Sequence, residues 1–288
     1  MLGKTVLILA VLIFGMCSVS FGQTLDGSPY TPGKDPNIDM FIGSWKDSMP
    51  YHTHGSLIER DVLTKGDPIN PPTKGAVLKY INRFTHATLP ANATTEPVTL
   101  KGEQEIIYII SGKGTVTSGK KTTDIYNGIC MLIPAGCEFS IKNIADAPMT
   151  MYLVSEPIPS GFRPNKDILF KDENTLPIES TNGHWCHIVK NFFETDAGLG
   201  TLERVLTVTF DPMTIGHPHS HTEGCEEVWT ALRGESLAFI GKQIRVQPEG
   251  TGYMIPPDGN TPHANINTGN EQIKIFYFAR YKDHEVRK

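Results

Sequence analysis

The sequence predicts an all-β fold built from two tandem barrels, and three observations carry that prediction. Most of the chain is a succession of short apolar runs broken by Gly, Pro, Asn and Asp, the pattern of barrel or sandwich strands joined by turns. One interval recurs: six residues separate Glu105 from Gly112 and Glu227 from Gly234, and the two copies stand 122 residues apart. A length of 288 residues accommodates two units of about 100 residues each. No long amphipathic helix or heptad pattern is present, so helix content is expected to be low.

Taken in order, residues 1–22 have the form of a signal peptide. Lys4 supplies the positive start, Thr5 to Met16 is a largely apolar run, and Ser20-Phe21-Gly22 offers small residues at both cleavage-defining positions, which predicts a mature chain beginning at Gln23. The run is too short for a spanning helix, which needs about 20 residues. Lipidation at Cys17 is the alternative, disfavoured because the bulky Met16 precedes it. Loss of Lys4 takes the net charge from −5 to −6. The protein is therefore expected outside the cytoplasm, periplasmic or secreted.

Residues 23–50, with Gly27, Pro29, Pro32, Gly33 and Pro36, read as an irregular arm wrapping a barrel or a partner subunit. Residues 51–156 read as a first barrel, with strands at Ala76 to Phe84, Glu105 to Ile110, Gly114 to Thr117, Ile129 to Ile133, Phe139 to Ile144 and Met149 to Val154. Residues 157–183, with Pro157, Pro159, Pro164, Pro177 and a charged patch, read as a linker. Residues 184–288 read as a second barrel, with strands at Arg204 to Phe210, Glu227 to Leu232, Ser236 to Ile240, Gln243 to Val246, Tyr253 to Ile255 and Ile273 to Tyr281.

The chemistry concentrates in the second half. His219-Ser220-His221 precedes Glu226-Glu227, and His263 follows Pro257-Asp258-Gly259. In an extended strand, positions i and i+2 share a face, so His219 and His221 can reach one ion. Imidazole and carboxylate ligands suit one divalent transition metal, Fe, Mn, Ni, Co, Cu or Zn.

The spacing His219-x-His221, five residues, Glu227, six residues, Gly234, and then Pro257-x-Gly259, three residues, His263, three residues, Asn267 resembles the paired motifs of the cupin superfamily. The resemblance implies a small antiparallel barrel, a double-stranded β-helix, holding a metal through His219, His221, Glu227 and His263. Three departures stand out. Counting forward from His221 favours Glu226, and counting back from Gly234 favours Glu227; the interval in the first half favours Glu227, with Glu226 the alternative. One extra residue lies between Gly259 and His263, and Met213 stands where the family has a leading Gly. In the first half, Glu105, Gly112, Gly128, Pro134-Ala135-Gly136, Phe139 and Asn143 follow the same template, so the chain resembles a bicupin over most of residues 51–284. That half lacks histidine between Ala91 and Lys101 and has Phe139 in place of His263, which predicts a metal-free first barrel.

Other residues carry weaker signals. His217 shares the face of His219 and is a candidate for substrate binding or second-layer support, as is Trp229, which shares the face of Glu227. Trp185 and Tyr253 are further candidates for a pocket wall. His52-x-His54 and His184-Trp185-Cys186-His187 lie upstream of their barrels and read as edge elements, a second metal site at an interface being the sharper alternative. Among the cysteines, spacing suggests Cys130 with Cys137 and Cys186 with Cys225, and buried free thiols are an equal alternative. Neither a Gly-x-Ser-x-Gly elbow nor a phosphate-binding loop is present, and Asn92-Ala93-Thr94 is a sequon by pattern only.

Apolar content of 39% and charged content of 20% describe a soluble globular chain, and the negative charge without basic runs excludes a nucleic-acid footprint. The resemblance implies a metal-dependent enzyme, of dioxygenase, decarboxylase, isomerase or lyase type, acting on a small oxygenated substrate such as a sugar derivative, organic acid or phenol. A non-catalytic ligand-binding or storage-like module is the alternative, since one fold hosts both. A small-molecule partner is expected, a homodimer is compatible, and no catalytic acid or base is identified.

Overall fold

The computed structural model describes residues 28–179 and 188–280. The signal segment, Cys17, Trp185, Cys186 and the His184-to-His187 motif lie outside the described residues. Among those described, strands dominate and the helices are three short 3-10 turns. No described helix is long and apolar enough to cross a membrane.

The strands form two barrels, each a large sheet facing a four-stranded one. The first large sheet runs in the order Leu169–Asp172, Ile129–Ile133, Glu103–Ser111, Met149–Pro157, Arg83–Leu89, Leu57–Lys65, Tyr51–Thr53. The second runs Ile42–Ser44, Thr251–Met254, Glu226–Arg233, Ile273–Arg280, Arg204–Phe210, Ile188–Glu194. Each barrel thus gains an edge strand from a segment that composition marks as connecting chain. Ile42–Ser44, in the stretch expected to be irregular, pairs Ile42 with Tyr253 of the second barrel. Leu169–Asp172, in the proline-rich linker, pairs Leu169 with Leu132 of the first.

The two large sheets pack back to back, so their central strands are buried on both faces and read as unbroken apolar runs. In Glu103–Ser111, Ile107 and Ile109 fill the first barrel while Ile106 and Tyr108 face the second. In Ile273–Arg280, Ile275 and Tyr277 fill the second barrel while Phe276 and Phe278 face the first. Phe84 meets Phe278 edge-on at 4.9 Å, and Phe276 stacks on Tyr108 and Tyr152 at 5.5 and 5.6 Å. Glu173 ties the linker to both barrels, accepting hydrogen bonds from Tyr108, Thr207 and Lys274 at 2.7–2.8 Å.

The repeated motif residues do matching structural work. Gly112 and Gly234 both hold left-handed φ, +98° and +81°, and a Cβ on either would press on Met149 or Ile273 at 2.9–3.0 Å. Asn143 donates to the carbonyls of Leu89, Pro90 and Ala147, and Asn267 donates to those of Phe210, Asp211 and Glu271. This register makes Asn92 and Met213 counterparts, and both are left-handed, with φ of +58° and +56°. A glycine fits that position freely, which explains why the motif leads with one. The extra residue before His263 sits in a turn where Asp258 accepts the amides of Asn260 and Thr261 at 2.8 Å.

Two expectations are corrected. The run Ala76 to Phe84 is not one strand: it divides into Ala76–Leu78 and the start of Arg83–Leu89, because a glutamate of the second barrel takes the amides of Lys79 and Tyr80. Of the two readings left open for Cys130 and Cys137, the disulfide falls and the free thiols stand. Cys130 faces the inter-barrel core while Cys137 packs toward the barrel interior, so the sheet separates them.

Candidate metal centre

The HxH segment lies antiparallel to the strand His263–Asn267, with His219 and His263 exchanging both backbone hydrogen bonds, at 3.3 and 2.9 Å. This brings the imidazoles together, with ring centroids at 4.7 Å for His219–His221, 4.5 Å for His219–His263 and 5.2 Å for His221–His263. Their ligand atoms fall within 4.8 Å of one another, and so do those of a second group, His221, Cys225 and Glu227, which shares His221 with the first.

Strand alternation separates the adjacent glutamates. Glu227 faces inward, with Oε2 against His221 Nε2 and Oε1 3.5 Å from His263 Nε2. Glu226 faces outward and accepts the Lys79 and Tyr80 amides, which makes it a tie between the barrels. Burial opposes charge on Glu227, but His221 and His263 outweigh it and hold its carboxyl well below the usual carboxylate range. Burial, reinforced by His263, drops His219 to about 3; burial also lowers His263. Both rings are therefore neutral at neutral pH, the form that donates a lone pair to an ion. Burial alone would lower His221 too, but Glu227 reverses the direction.

Supporting contacts fix these rings. His219 Nδ1 lies 2.7 Å from the His217 carbonyl, which only accepts, so Nδ1 carries the proton and Nε2 faces the cluster. The His217 ring stacks on His219 at 5.7 Å. Trp229 donates its indole N–H to Glu227 Oε1 at 2.7 Å, so its clearest contribution is to hold the carboxylate. Tyr253 is fully buried and donates to Asn265, whose amide bonds Gln247 and Ser236. Asn265 and Gln247 escaped the sequence reading, although Asn265 lies two residues beyond His263 on the same face. Cys225 also joins the site, where spacing had paired it with Cys186.

The first barrel mouth is built differently. His54, in a left-handed turn after Tyr51–Thr53, brings Nε2 to 3.4 Å from Glu105, while His52 stays exposed on the strand. Arg83 binds Glu105 at 2.6 Å and approaches Glu59 at 3.4 Å; both carboxylates are fully buried. Thr53 and Thr85 complete the partners of Glu59. Phe139 takes a buried place 5.7 Å from the His54 ring. Glu105 is thus not isolated, and His54, Glu59 and Arg83 reach it from parts of the chain distant in sequence.

Comparison with known proteins agrees with this architecture. Residues 85–155 match the cupin domain family. That match lies in the first barrel, whose motif follows the template without the insertions of the second. No curated protein sequence matches the chain. Among solved structures, the protein Ylba from E. coli superposes with a TM-score of 0.63 at 15% identity, covering 83% of this chain and 90% of its own. A variant of oxalate decarboxylase from Bacillus subtilis superposes at 0.65 and 14%, covering 87% and 79%. AerE from Microcystis aeruginosa superposes at 0.63 and 14%, covering 84% and 100%. The cupin match covers the first barrel, and over both barrels the chain shares the fold of these structures, two tandem β-barrels.

Proposed function

We propose that His219, His221, Glu227 and His263 hold one divalent transition metal, and that the chain is a metal-dependent enzyme acting on a small organic acid outside the cytoplasm. One observation carries this reading. His263 is 1% exposed and its ring nitrogens make no well-formed hydrogen bond, Nε2 standing 3.5 Å from Glu227 Oε1, yet it faces that buried carboxylate and two further imidazoles. Buried polar atoms are costly without partners, and a cation that accepts imidazole lone pairs meets that need.

The site has a floor and an opening. Glu227 and His263 are buried, while His219 and His221 remain partly exposed, so a substrate approaches from their side. When bound, the ion supplies a Lewis acid for charge developing on a carboxylate or enolate oxygen, or a place to activate oxygen. Trp229 keeps Glu227 aimed inward, and the His217 carbonyl keeps His219 in the ligating tautomer. Oxalate decarboxylase among the fold's neighbours supports an organic acid as the substrate class. The apolar run ending at Ser20-Phe21-Gly22 supports export, and an exported mass beginning at Gln23 is expected, whereas a lipid on Cys17 overturns it.

The test is turnover of a panel of small organic acids, oxalate included, by protein purified without a metal-affinity tag, with single metals restored after chelation. Turnover should need the ion and vanish in Glu227→Ala. Activity that survives verified metal removal overturns the reading, and a loaded protein inert toward every acid favours the ligand-binding alternative.

A further inference from the structure

Outside the second barrel, a cleft of about 410 Å³ opens where the outer face of the first large sheet meets the second barrel. Its floor is two cross-strand rows. Arg60, His86 and Tyr152 are register partners on three neighbouring strands, and Ile58, Thr88 and Thr150 form the next row. Strands lie about 4.8 Å apart, so each row spans about 10 Å, the length of a six-carbon acid. Trp45 closes one wall by stacking on His86 at 4.3 Å, and Glu249 stands on the rim contributed by the second barrel.

His86 is the unexplained group. It is 8% exposed, stacks on Trp45 and meets Tyr152 edge-on, and neither nitrogen has a hydrogen-bond partner among the described residues. Burial, with Arg60 and Lys46 nearby, lowers it to about 4, so at neutral pH the imidazole is an uncharged donor and acceptor. Arg60 spends one nitrogen on the Ser48 carbonyl at 2.6 Å and keeps the rest of its fork for the cleft. Thr88 adds a hydroxyl to the floor, Thr150 and Ser111 bond each other at 2.7 Å there and keep lone pairs for a ligand, and the Glu249 carboxylate on the rim disfavours a second negative charge.

We propose that this cleft binds a small polyhydroxylated monocarboxylate, its carboxylate on Arg60 and its hydroxyls on His86, Thr88 and Thr150. The site shares no residue with the histidine cluster and does not depend on a metal there.

Calorimetric titration of the full chain with D-glucuronate, against neutral methyl glucoside, tests this. Glucuronate should bind saturably and at least about tenfold more tightly than the glucoside, since the charge-assisted fork is worth about 1.5 kcal/mol or more. Arg60→Met should abolish that discrimination. His86→Phe, which keeps the stack on Trp45, should weaken binding severalfold, and it carries the test if Arg60→Met does not fold. Prior metal removal should change nothing. Absence of saturable binding, discrimination that survives Arg60→Met, unchanged affinity in His86→Phe, or binding lost with the metal would each overturn the proposal.

Discussion

The two barrels place a buried glutamate at the same point of the repeat, Glu105 and Glu227, and surround it with opposite chemistry. In the first, the positive charge comes from the chain: Arg83 lies between Glu105 and Glu59, and His54 meets the remaining oxygen. In the second, three imidazoles converge on the carboxylate and no arginine or lysine forms an ion pair with it among the described residues. A buried carboxylate needs a counter-charge, and the two mouths set different groups around it. The first mouth draws its counter-charge from Arg83, and the second would draw it from the proposed ion.

The largest expected effect tests the self-contained mouth. Arg83→Met leaves Glu59 and Glu105 buried without their cation, and should cost about 3–5 kcal/mol of stability in urea unfolding. Glu105→Gln in that background should recover part of the loss, because it removes one of the uncompensated charges. A cost under about 1 kcal/mol would mean the bridge behaves like an exposed pair.

The pH dependence of stability should also differ between the mouths. Burial alone would lower His54, but Glu105 and Glu59 outweigh it and raise it. A raised histidine stabilises the fold fully below about pH 6.5, its unfolded value, and the contribution fades as pH rises through the folded value. His54→Gln should therefore flatten the alkaline-side fall in stability, and an unchanged profile would remove His54 from the account.

A smaller effect probes the second mouth. Trp229→Phe keeps the ring but removes the N–H on Glu227, and should weaken metal binding about tenfold, in line with other outer-layer partners. Competition with a chelating dye measures this, and full affinity in the variant would reduce Trp229 to packing. The smallest effect concerns the paired turns. Asn92 tolerates left-handed φ and Met213 does not, so Met213→Gly should stabilise the chain by about 1 kcal/mol or less, with no gain from Asn92→Gly.

Much of this was legible in the sequence, for identifiable reasons. Period-two alternation put His219 with His221, and the Glu-to-Gly interval pointed to the inward-facing residue of the Glu226-Glu227 pair. What was not legible depends on contacts between distant segments. The strand Leu57–Lys65 was missed because Glu59 and Asp61 occupy inward positions at the mouth, where polar side chains are wanted, and they disguise the alternation. Arg83 reaches Glu105 across 22 residues and His54 reaches it across 51, and neither spacing resembles a motif. The strands Ile42–Ser44 and Leu169–Asp172 are too short and too close to prolines to announce themselves; their pairing comes from the sheet edge that each completes.

Metal stoichiometry tests the central contrast most directly. Elemental analysis of untagged protein, reconstituted with excess divalent metal and then desalted, should find one ion per chain in the wild type and in Glu105→Ala, and none in Glu227→Ala. Two ions per chain, or an ion retained by Glu227→Ala, would contradict the account of one mouth closed by its own arginine and one completed by a metal.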